Sequence, residues 1–330
     1  METFKALRIF NEDNKTVSRT TELTLDDLSA GEVVIKTAYS SVNYKDALAA
    51  TGKGKIIRHF PCVGGIDVSG TVVASSDARF KAGDDVLCTG YDLGVAHDGG
   101  FAEYARLPAD WVVPLPANLS LFEAMALGTA GFTAALGIHL MEQNDLKPGN
   151  GKVAVNGASG GVASLAIDML AQLGYSVTAI SGKSDADEYL KSLGAAEVLP
   201  RPVFKADEAQ KPLEKPLWAG AMDSVGGEQL AWLTRTMQQH GVISSFGNAG
   251  GIALNTTVLP FILRGIRLVG VDSSQTPMSL RRIIWARLAS DLKPRHLDKI
   301  AHTVTLAQLP ETFEKMLQSQ ARGRAVVSFL

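Results

Sequence analysis

A glycine-rich turn carries the clearest chemical signal in this sequence. Residues 153–163 read VAVNGASGGVA, so that three glycines follow a short apolar run and open a segment of helical periodicity. Such glycines permit a tight turn through which backbone N–H groups approach a diphosphate, and the N-terminus of the following helix stabilises its charge. The spacing is a Gly-x-x-Gly-x-x-Ala variant of the dinucleotide fingerprint, which alone is a weak signal. Its place after the first of six strand-like runs predicts a dinucleotide-binding site.

The end of the next apolar run bears on the choice of cofactor. NAD-specific domains place an acidic residue there, about twenty residues beyond the glycines, to bind the ribose 2′-hydroxyl. Here residues 180–183 read ISGK, and Ser181 and Lys183 offer a hydroxyl and a cation to a 2′-phosphate. Two alternatives remain, a carboxylate at Asp185 or Asp187 and a lysine that is merely solvated at a helix start. The pattern favours NADPH as the cofactor.

Alternating β and α patterning must position these groups. Apolar runs lie at residues 152–156, 176–181, 197–200, 220–224, 242–246 and 267–271, with helix-length segments between them. This alternation is typical of a doubly wound parallel sheet, the Rossmann fold. Residues before 120 read instead as strands and turns, and the tail returns to β-like patterning. We predict an α/β protein in which residues 125–293 form the nucleotide-binding domain, inserted between residues 1–124 and 294–330 of a β-rich catalytic domain.

Composition and charge exclude several classes of protein. The chain has 330 residues, 46% hydrophobic and 20% charged, with a formal net charge of −2, so no overall field favours nucleic acid or an anionic membrane as a partner. The N-terminus lacks the apolar stretch of a signal peptide, and we expect no apolar run of the roughly 18–20 residues that span a bilayer. Cys62 and Cys88 are the two cysteines, too few for a four-thiolate zinc site and in keeping with a reducing compartment. The sequence predicts a soluble, cytoplasmic protein.

Three further motifs, together with the glycine turn, resemble those of the medium-chain dehydrogenase/reductase superfamily over nearly the whole chain. They read KAGDDV at 81–86, GGFAEY at 99–104 and GTAGFTA at 128–134. The resemblance implies a GroES-like catalytic domain, an inserted Rossmann domain and a cleft between them. Zinc-dependent members bind their metal through a Cys and a Gly-His-Glu, whereas residues 64–67 here read GGID. Asp67 thus stands at a ligand position without the other ligands, and the six histidines show no ligand spacing, so we expect no metal.

Within the superfamily the chain looks most like the acryloyl-CoA reductase branch, which also includes quinone oxidoreductase-like proteins. The matching pieces read SVNYKDAL at 41–48, TGKGKIIR at 51–58, EYLKSLGA at 188–195 and PFILR at 260–264. The resemblance implies that NADPH reduces the carbon–carbon double bond of acryloyl-CoA to give propionyl-CoA, in a homodimer. Two positions depart from the family, with Asn156 where Thr is common and Ala163 where Gly is usual.

Two other functions remain open at this point. An NADPH-dependent quinone or enone reductase would need the same cofactor site. A protein that binds the cofactor without turnover would serve as a redox sensor or a structural component.

Matching positions assign the cofactor contacts that the resemblance implies. They fall on Tyr44, Ser159, Gly160, Gly161, Val162, Ser181, Gly182, Lys183, Arg201, Asn248, Ile262, Ser273 and Ser319, the last at a position where the family more often has Asn.

The implied reaction requires a hydride at the β-carbon and stabilisation of the enolate oxygen. Asn43 and Tyr44 are candidate hydrogen-bond donors for that oxygen, although Tyr44 could equally be a packing residue. Asp67 is either a proton donor or a buried carboxylate that orients neighbouring donors. We therefore expect Asn43, Tyr44 and Asp67 to form the catalytic group.

A local basic patch follows this group in the sequence. Lys53, Lys55 and Arg58 stand close together in an otherwise balanced chain. They could bind the phosphates of coenzyme A, or they could be three ordinary solvated cations.

Overall fold

A computed structural model describes residues 3–204 and 211–330 of the chain. These residues divide into two compact units. The first unit contains residues 3–130, 273–289 and 297–330, and the second contains residues 131–204, 211–272 and 290–296. The chain therefore enters the second unit twice, at residue 131 and at residue 290, and returns to the first unit after each of these segments.

The strands are β1 (Phe4–Glu12), β2 (Lys15–Leu23), β3 (Val33–Ser41), β4 (Cys62–Val63), β5 (Asp67–Ser75), β6 (Asp85–Thr89), β7 (Tyr104–Leu107), β8 (Val113–Pro114), β9 (Lys152–Asn156), β10 (Ser176–Ser181), β11 (Glu197–Pro200), β12 (Trp218–Asp223), β13 (Met237–Ser245), β14 (Arg267–Gly270), β15 (Ala301–Val304) and β16 (Arg324–Ser328). The helices are α1 (Tyr44–Thr51), α2 (Leu121–Gln143), α3 (Gly161–Gln172), α4 (Asp187–Ser192), α5 (Gly227–Thr236), α6 (Leu259–Arg264), α7 (Met278–Leu288), α8 (Leu297–Ile300) and α9 (Leu309–Leu317).

The second unit is built on a six-stranded sheet in the order β11-β10-β9-β12-β13-β14. Every neighbouring pair in it is parallel, which is the doubly wound order that runs outward in both directions from a central first strand. Strand β9 is buried at Val153, Ala154 and Val155, since helices cover both faces of such a sheet and leave its central strands wholly apolar. The predicted strands are found here, β13 beginning earlier than expected, at Met237.

The first unit is β-rich. One of its sheets has the order β2-β1-β4, and the other has seven strands, β15-β16-β3-β5-β6-β8 with β7 paired to β3. The C-terminal strand β16 runs antiparallel to β3, with Val326 opposite Ser41. The tail of the chain thereby joins the sheet that contains β3, β5 and β6.

The bounds of the two units differ from the predicted domain division mainly at residues 273–289, which the sequence analysis assigned to the nucleotide-binding domain. Arg281, in α7, explains their membership of the first unit. Its guanidinium is fully buried and donates hydrogen bonds to the carbonyl and hydroxyl oxygens of Thr89 (2.8 and 3.1 Å) and to the carbonyl oxygen of Ser274 (3.1 Å). It also lies 4.3 Å from the ring centre of Tyr91. Helix α7 is therefore fastened to the end of β6.

Helix α2 corrects the expectation that no apolar run is long enough to span a bilayer. Its 23 residues meet that criterion by length and composition. However, 78% of its most apolar window is buried inside the protein, as in the core helix of a soluble domain. The helix is also interrupted at Gly128, whose φ of 50° and ψ of −154° are not helical.

Candidate active site

The glycine turn lies at the carboxyl end of β9, in the second unit. Gly157 has a φ of +59°, and a Cβ at this position would overlap the hydroxyl of Ser224, so only glycine fits. Gly160 is the N-terminal cap of α3, which begins at Gly161. The first amides of a helix have no acceptor within it and attract an anion. The turn therefore has the geometry needed to bind a diphosphate with the amides that follow Ser159.

A pocket beside the next strand brings together four of the predicted cofactor contacts, including the two predicted to meet the 2′-phosphate, Ser181 and Lys183. Ser181, Gly182, Lys183 and Arg201 all line a cavity of about 330 Å³. The hydroxyl of Ser181 accepts a hydrogen bond from the backbone N–H of Lys183 (3.0 Å), and its carbonyl accepts one from that of Arg201 (2.9 Å). Asp187, one of the two alternative carboxylates, also lines this cavity. The pocket thus contains two cationic side chains and a hydroxyl but one carboxylate, a balance of charge that suits a bound phosphate group.

A second pocket lies at the carboxyl ends of β13 and β14. It measures about 630 Å³ and is lined by residues 245–248 and 270–272. Asn248, one of the predicted cofactor contacts, is among these lining residues. Ile262, on α6, is 68% exposed and does not line this pocket. Of the other predicted cofactor contacts, Tyr44, Ser273 and Ser319 belong to the first unit.

Asp67 is the centre of a buried hydrogen-bond network in the first unit. Its side chain is fully buried, and its Oδ2 atom accepts hydrogen bonds from Ser41 Oγ (2.5 Å), Asn43 Nδ2 (2.8 Å) and the backbone N–H of Thr129 (2.9 Å). The hydroxyl of Thr129 donates to the other oxygen, Oδ1 (2.5 Å). A carboxylate held in this way orients its neighbours and has no surface at which to meet a substrate.

Arg324, at the start of β16, supplies the positive charge of this network. Its Nη1 atom donates to Asn43 Oδ1 and to the carbonyl of Val42, both at 3.0 Å, and its Nη2 atom lies 3.9 Å from Asp67 Oδ2. Burial lowers the pKa of the Arg324 guanidinium, while the charges of Asp67 and Asp46 act in the opposite direction. Both ends of the Asn43 amide are thus occupied, so Asn43 is a member of the supporting network.

A second buried carboxylate belongs to the same region. Asp46 accepts hydrogen bonds from the backbone N–H groups of Asn43 (2.8 Å) and Ile66 (3.0 Å). Burial, assisted by the charge of Asp67, raises the pKa of Asp46 to about 7 against the effect of these hydrogen bonds. Asp46 therefore changes its charge near neutral pH.

Tyr44 is the exposed member of the predicted catalytic group. Its side chain is 49% exposed, against 8% for Asn43 and none for Asp67. It is the first residue of α1, so the network around Asn43 fixes the helix end that carries it. Tyr44 is accordingly the residue of this group that can touch a ligand.

Three members of this network were not among the predicted site residues. Ser41, Thr129 and Arg324 have no spacing that links them to Asp67, and Arg324 is separated from Asn43 by 281 positions. For Arg324, the hint in the sequence was that a charged residue begins the apolar run of β16.

The basic patch and Ser319 lie at the surface of the first unit. Lys53, Lys55 and Arg58 are all exposed in the segment between α1 and β4. Arg58 also forms an ion pair with Asp92 (Nη1 to Oδ1, 3.2 Å). Ser319 follows α9 with a φ of +59°, a left-handed conformation that Asn adopts more readily than Ser.

Comparison with known proteins identifies the family. Residues 29–117 match the family model of the alcohol dehydrogenase GroES-like domain, and residues 161–290 match that of the zinc-binding dehydrogenases. The acrylyl-CoA reductase AcuI of Ruegeria pomeroyi is 44% identical over 96% of each chain. This chain belongs to the medium-chain dehydrogenase/reductase superfamily. Both the predicted family and its branch are confirmed.

Solved structures of family members confirm the predicted fold. The yhdH oxidoreductase of Salmonella enterica, in complex with NADP, is 48% identical and superimposes with a TM-score of 0.95 over 99% of this chain and 100% of that one. The Bacillus subtilis protein yhfP, with NAD bound, is 46% identical and has a TM-score of 0.96 over 100% of both chains. By sequence, yhfP is 47% identical over 98% of each chain and carries a quinone oxidoreductase name.

Zinc, which one matching family model names, does not fit the residues around Asp67. Four donors already occupy the oxygens of Asp67. Across residues 3–204 and 211–330, no three His, Cys, Asp or Glu side chains come together as the ligands of a metal ion would. The residues around Asp67 therefore do not form a zinc site.

Proposed function

We propose that this chain reduces the carbon–carbon double bond of acryloyl-CoA, the compound also called acrylyl-CoA, to give propionyl-CoA with NADPH. The observation that carries the proposal is its 44% identity to the acrylyl-CoA reductase of Ruegeria pomeroyi over 96% of both chains. We further propose that the protein acts in the cytoplasm as a homodimer.

The residues of the second unit bind and orient the cofactor. The amides after Ser159 hold the diphosphate, and Ser181, Lys183 and Arg201 surround the 2′-phosphate of the adenosine. When bound, NADPH supplies the hydride that goes to the β-carbon of the thioester, and the α-carbon takes a proton. The protein contributes position and electrostatic stabilisation.

Tyr44 stabilises the developing negative charge in this mechanism. As hydride reaches the β-carbon, charge moves to the thioester oxygen, where a hydrogen-bond donor lowers the barrier. The phenol of Tyr44 is exposed and stands on a helix end held by Asn43, Asp67 and Arg324. Asn43 and Asp67 therefore act through Tyr44, as positioning residues.

The basic patch gives the first unit a place for the phosphates of coenzyme A. Lys53, Lys55 and Arg58 are exposed on one short segment, while the chain as a whole has a net charge of −2. A polyanionic substrate is attracted by such a local cluster and gains nothing from the overall charge.

The first experiment is to follow the oxidation of NADPH with acryloyl-CoA, with a small quinone and with neither. We expect rapid oxidation with acryloyl-CoA, formation of propionyl-CoA, and slow oxidation otherwise. Turnover of the quinone alone would replace the proposal with the quinone reductase function that the name of yhfP suggests. Binding of NADPH without turnover of either substrate would indicate a cofactor-binding protein.

The second experiment replaces Lys53, Lys55 and Arg58 by Gln together. The KM for acryloyl-CoA should rise on the order of tenfold, since exposed ion pairs contribute modestly and add up, and the KM for a small uncharged enone should not change. The matched control replaces exposed Lys15, Lys147 and Lys299, which removes the same charge elsewhere. A similar rise in both variants, or for both substrates, would remove the patch from the site.

A further inference from the structure

Asp223, the last residue of β12, occupies a central place at the carboxyl edge of the parallel sheet. Its side chain is fully buried, and its strand lies between β9 and β13. The carboxylate accepts hydrogen bonds from Asn156 Nδ2 (2.6 Å), the backbone N–H of Gly226 (3.0 Å) and Ser245 Oγ (3.0 Å). Asn156 ends β9 and Ser245 ends β13. One carboxylate thus connects the ends of three neighbouring strands.

Asn156 extends this connection to the turn after β12. It is 1% exposed, and its Oδ1 atom accepts a hydrogen bond from the backbone N–H of Ser224 (2.7 Å). The hydroxyl of Ser224 donates in turn to the backbone carbonyl of Asn156 (2.9 Å). Asn156 directly precedes Gly157, and the Ser224 hydroxyl lies where a Cβ of Gly157 would be. The glycine turn is therefore linked through Asn156 and Ser224 to Asp223.

The loop after β13 packs against the same turn. The backbone N–H of Gly250 donates to the carbonyl of Val225 (2.7 Å), and that of Phe246 donates to the carbonyl of Asp223 (3.0 Å). A Cβ on Gly226 would lie 2.6 Å from the carbonyl oxygen of Gly251. The turns that follow β9, β12 and β13 are thus in direct contact with one another, and Asp223 lies at their base.

We propose that Asp223 is a positioning residue for nucleotide binding, which acts through Asn156 to set the glycine turn for the diphosphate. The inference rests on the proposed nucleotide site and is independent of the substrate. Both nicotinamide cofactors share the diphosphate, so a defect here affects NADPH and NADH alike. A defect in the 2′-phosphate pocket affects NADPH alone.

Replacement of Asp223 by Asn keeps the shape of the side chain and changes one of its two oxygens to an NH2 group, a hydrogen-bond donor. In place of Oδ1 the new NH2 group faces three donors, Asn156 Nδ2 and the N–H groups of Val225 and Gly226, and a buried donor without an acceptor is destabilising. In place of Oδ2 it can donate to the Ser245 hydroxyl, but the hydrogen bonds that Oδ1 accepts then lose the negative charge that strengthens them. We expect the Kd of D223N for NADPH and for NADH to rise about tenfold each, with their ratio unchanged. Calorimetric titration of the full chain measures both constants, and circular dichroism verifies that the variant is folded.

The exchanged double variant N156D/D223N restores a carboxylate to the pair and a hydrogen bond between residues 156 and 223. The carboxylate of Asp at 156 accepts hydrogen bonds from the N–H of Ser224 and from the side-chain amide of Asn at 223. The amide oxygen of that Asn accepts from the N–H of Gly226, and the Ser245 hydroxyl can accept as well as donate. We expect its Kd for both nucleotides to lie within about threefold of the wild type. A folded D223N with wild-type affinity, or a double variant no better than D223N, would overturn the inference.

A second pair of variants covers the case in which D223N does not fold. N156T and N156V have the same shape, but the Thr hydroxyl can donate to Asp223 and accept from Ser224 whereas Val can do neither. The Kd of N156V should exceed that of N156T for both nucleotides, and equal constants would overturn the inference. If the wild-type chain binds neither nucleotide, the proposed function fails instead.

Discussion

At the scale of single residues, Lys183 is the side chain predicted to set a preference for NADPH over NADH. It lines the pocket with Ser181 and Arg201, at the strand end where an NAD-specific domain carries a carboxylate. We expect Lys183→Ala to raise the KM for NADPH about tenfold, through loss of a charge next to the 2′-phosphate, and the KM for NADH less than about twofold. Steady-state kinetics with both nucleotides measure the two effects.

The control for this prediction is Lys191→Ala on α4. Lys191 is an exposed lysine of the same region that does not line the pocket, and its loss should leave both KM values unchanged. Equal effects of Lys183→Ala on NADPH and NADH would show that Lys183 is only a solvated surface residue.

Asp46 gives the protein a pH dependence of stability near neutrality. Its pKa is raised from 3.8 to about 7 in the folded state, so between these values the folded chain holds a proton that the unfolded chain has released. Stability therefore falls as pH rises across this window, by an amount on the order of 1–4 kcal/mol. We expect Asp46→Asn, whose side chain cannot ionise, to lose this contribution to the pH dependence of the free energy of unfolding.

Urea unfolding at about pH 5 and about pH 8 tests this expectation. The difference between the two midpoints should be smaller in Asp46→Asn than in the wild type. Asp26→Asn, which removes an exposed carboxylate, should keep the wild-type difference. If Asp46→Asn also keeps it, the Asp46 carboxyl does not titrate in this range.

At the scale of elements, the interruption of α2 at Gly128 is what brings Thr129 to Asp67. A Cβ on Gly128 would lie 2.6 Å from Asp67 Oδ2 and 2.9 Å from Arg324 Nη2, and its φ of +50° is unfavourable for other residues. We expect Gly128→Ala to lower the free energy of unfolding by about 3 kcal/mol or more. Turnover with acryloyl-CoA should fall as well, because the support of Tyr44 is disturbed.

Gly149→Ala is the matched control for the helix interruption. Gly149 also has a positive φ, of +92°, but no atom lies within 4 Å of its Cβ position. Its replacement should cost only about 1 kcal/mol, from backbone strain alone. Denaturant unfolding of both variants compares them, and equal costs would mean that the atoms around Gly128 can move aside.

The strands of the second unit were the elements most open to prediction. Strands β9, β10 and β11 have the predicted bounds, because short apolar runs between turn residues report buried parallel strands directly. Strand β13 begins at Met237, several residues before the apolar run at 242. Its first part contains Gln238, Gln239 and His240, which are polar and partly exposed, so no apolar pattern marks it.

At the scale of the whole molecule, the two compact units contribute different residues to the proposed reaction. The pockets and the glycine turn lie within the second unit, whereas Tyr44 and the basic patch lie within the first. A ligand that binds only the folded state stabilises it by about 2.7 kcal/mol at a hundred times its Kd. NADPH should therefore raise the Tm of the transition that includes the second unit by roughly 5–10 °C.

Differential scanning calorimetry of the full chain, with and without NADPH, measures this shift. Lys183→Ala should reduce the shift at the same NADPH concentration, since its Kd is higher. An unchanged Tm in saturating NADPH would contradict the nucleotide site in the second unit.

The sequence by itself determined the features that depend on neighbouring residues. These features are the glycine turn, the order of strands and helices, and the strand end at Ser181–Lys183. All are local, because turn geometry and apolar periodicity depend on residues close together in the sequence. The motifs also identified the family. Tertiary structure alone decided which side chains support the candidate site. Arg324 meets Asn43 because β16 pairs with β3, and Asp223 meets Asn156 because β12 lies beside β9. These pairs join residues far apart in the chain, and their contacts exist only once the sheets have formed and buried charges have been paired.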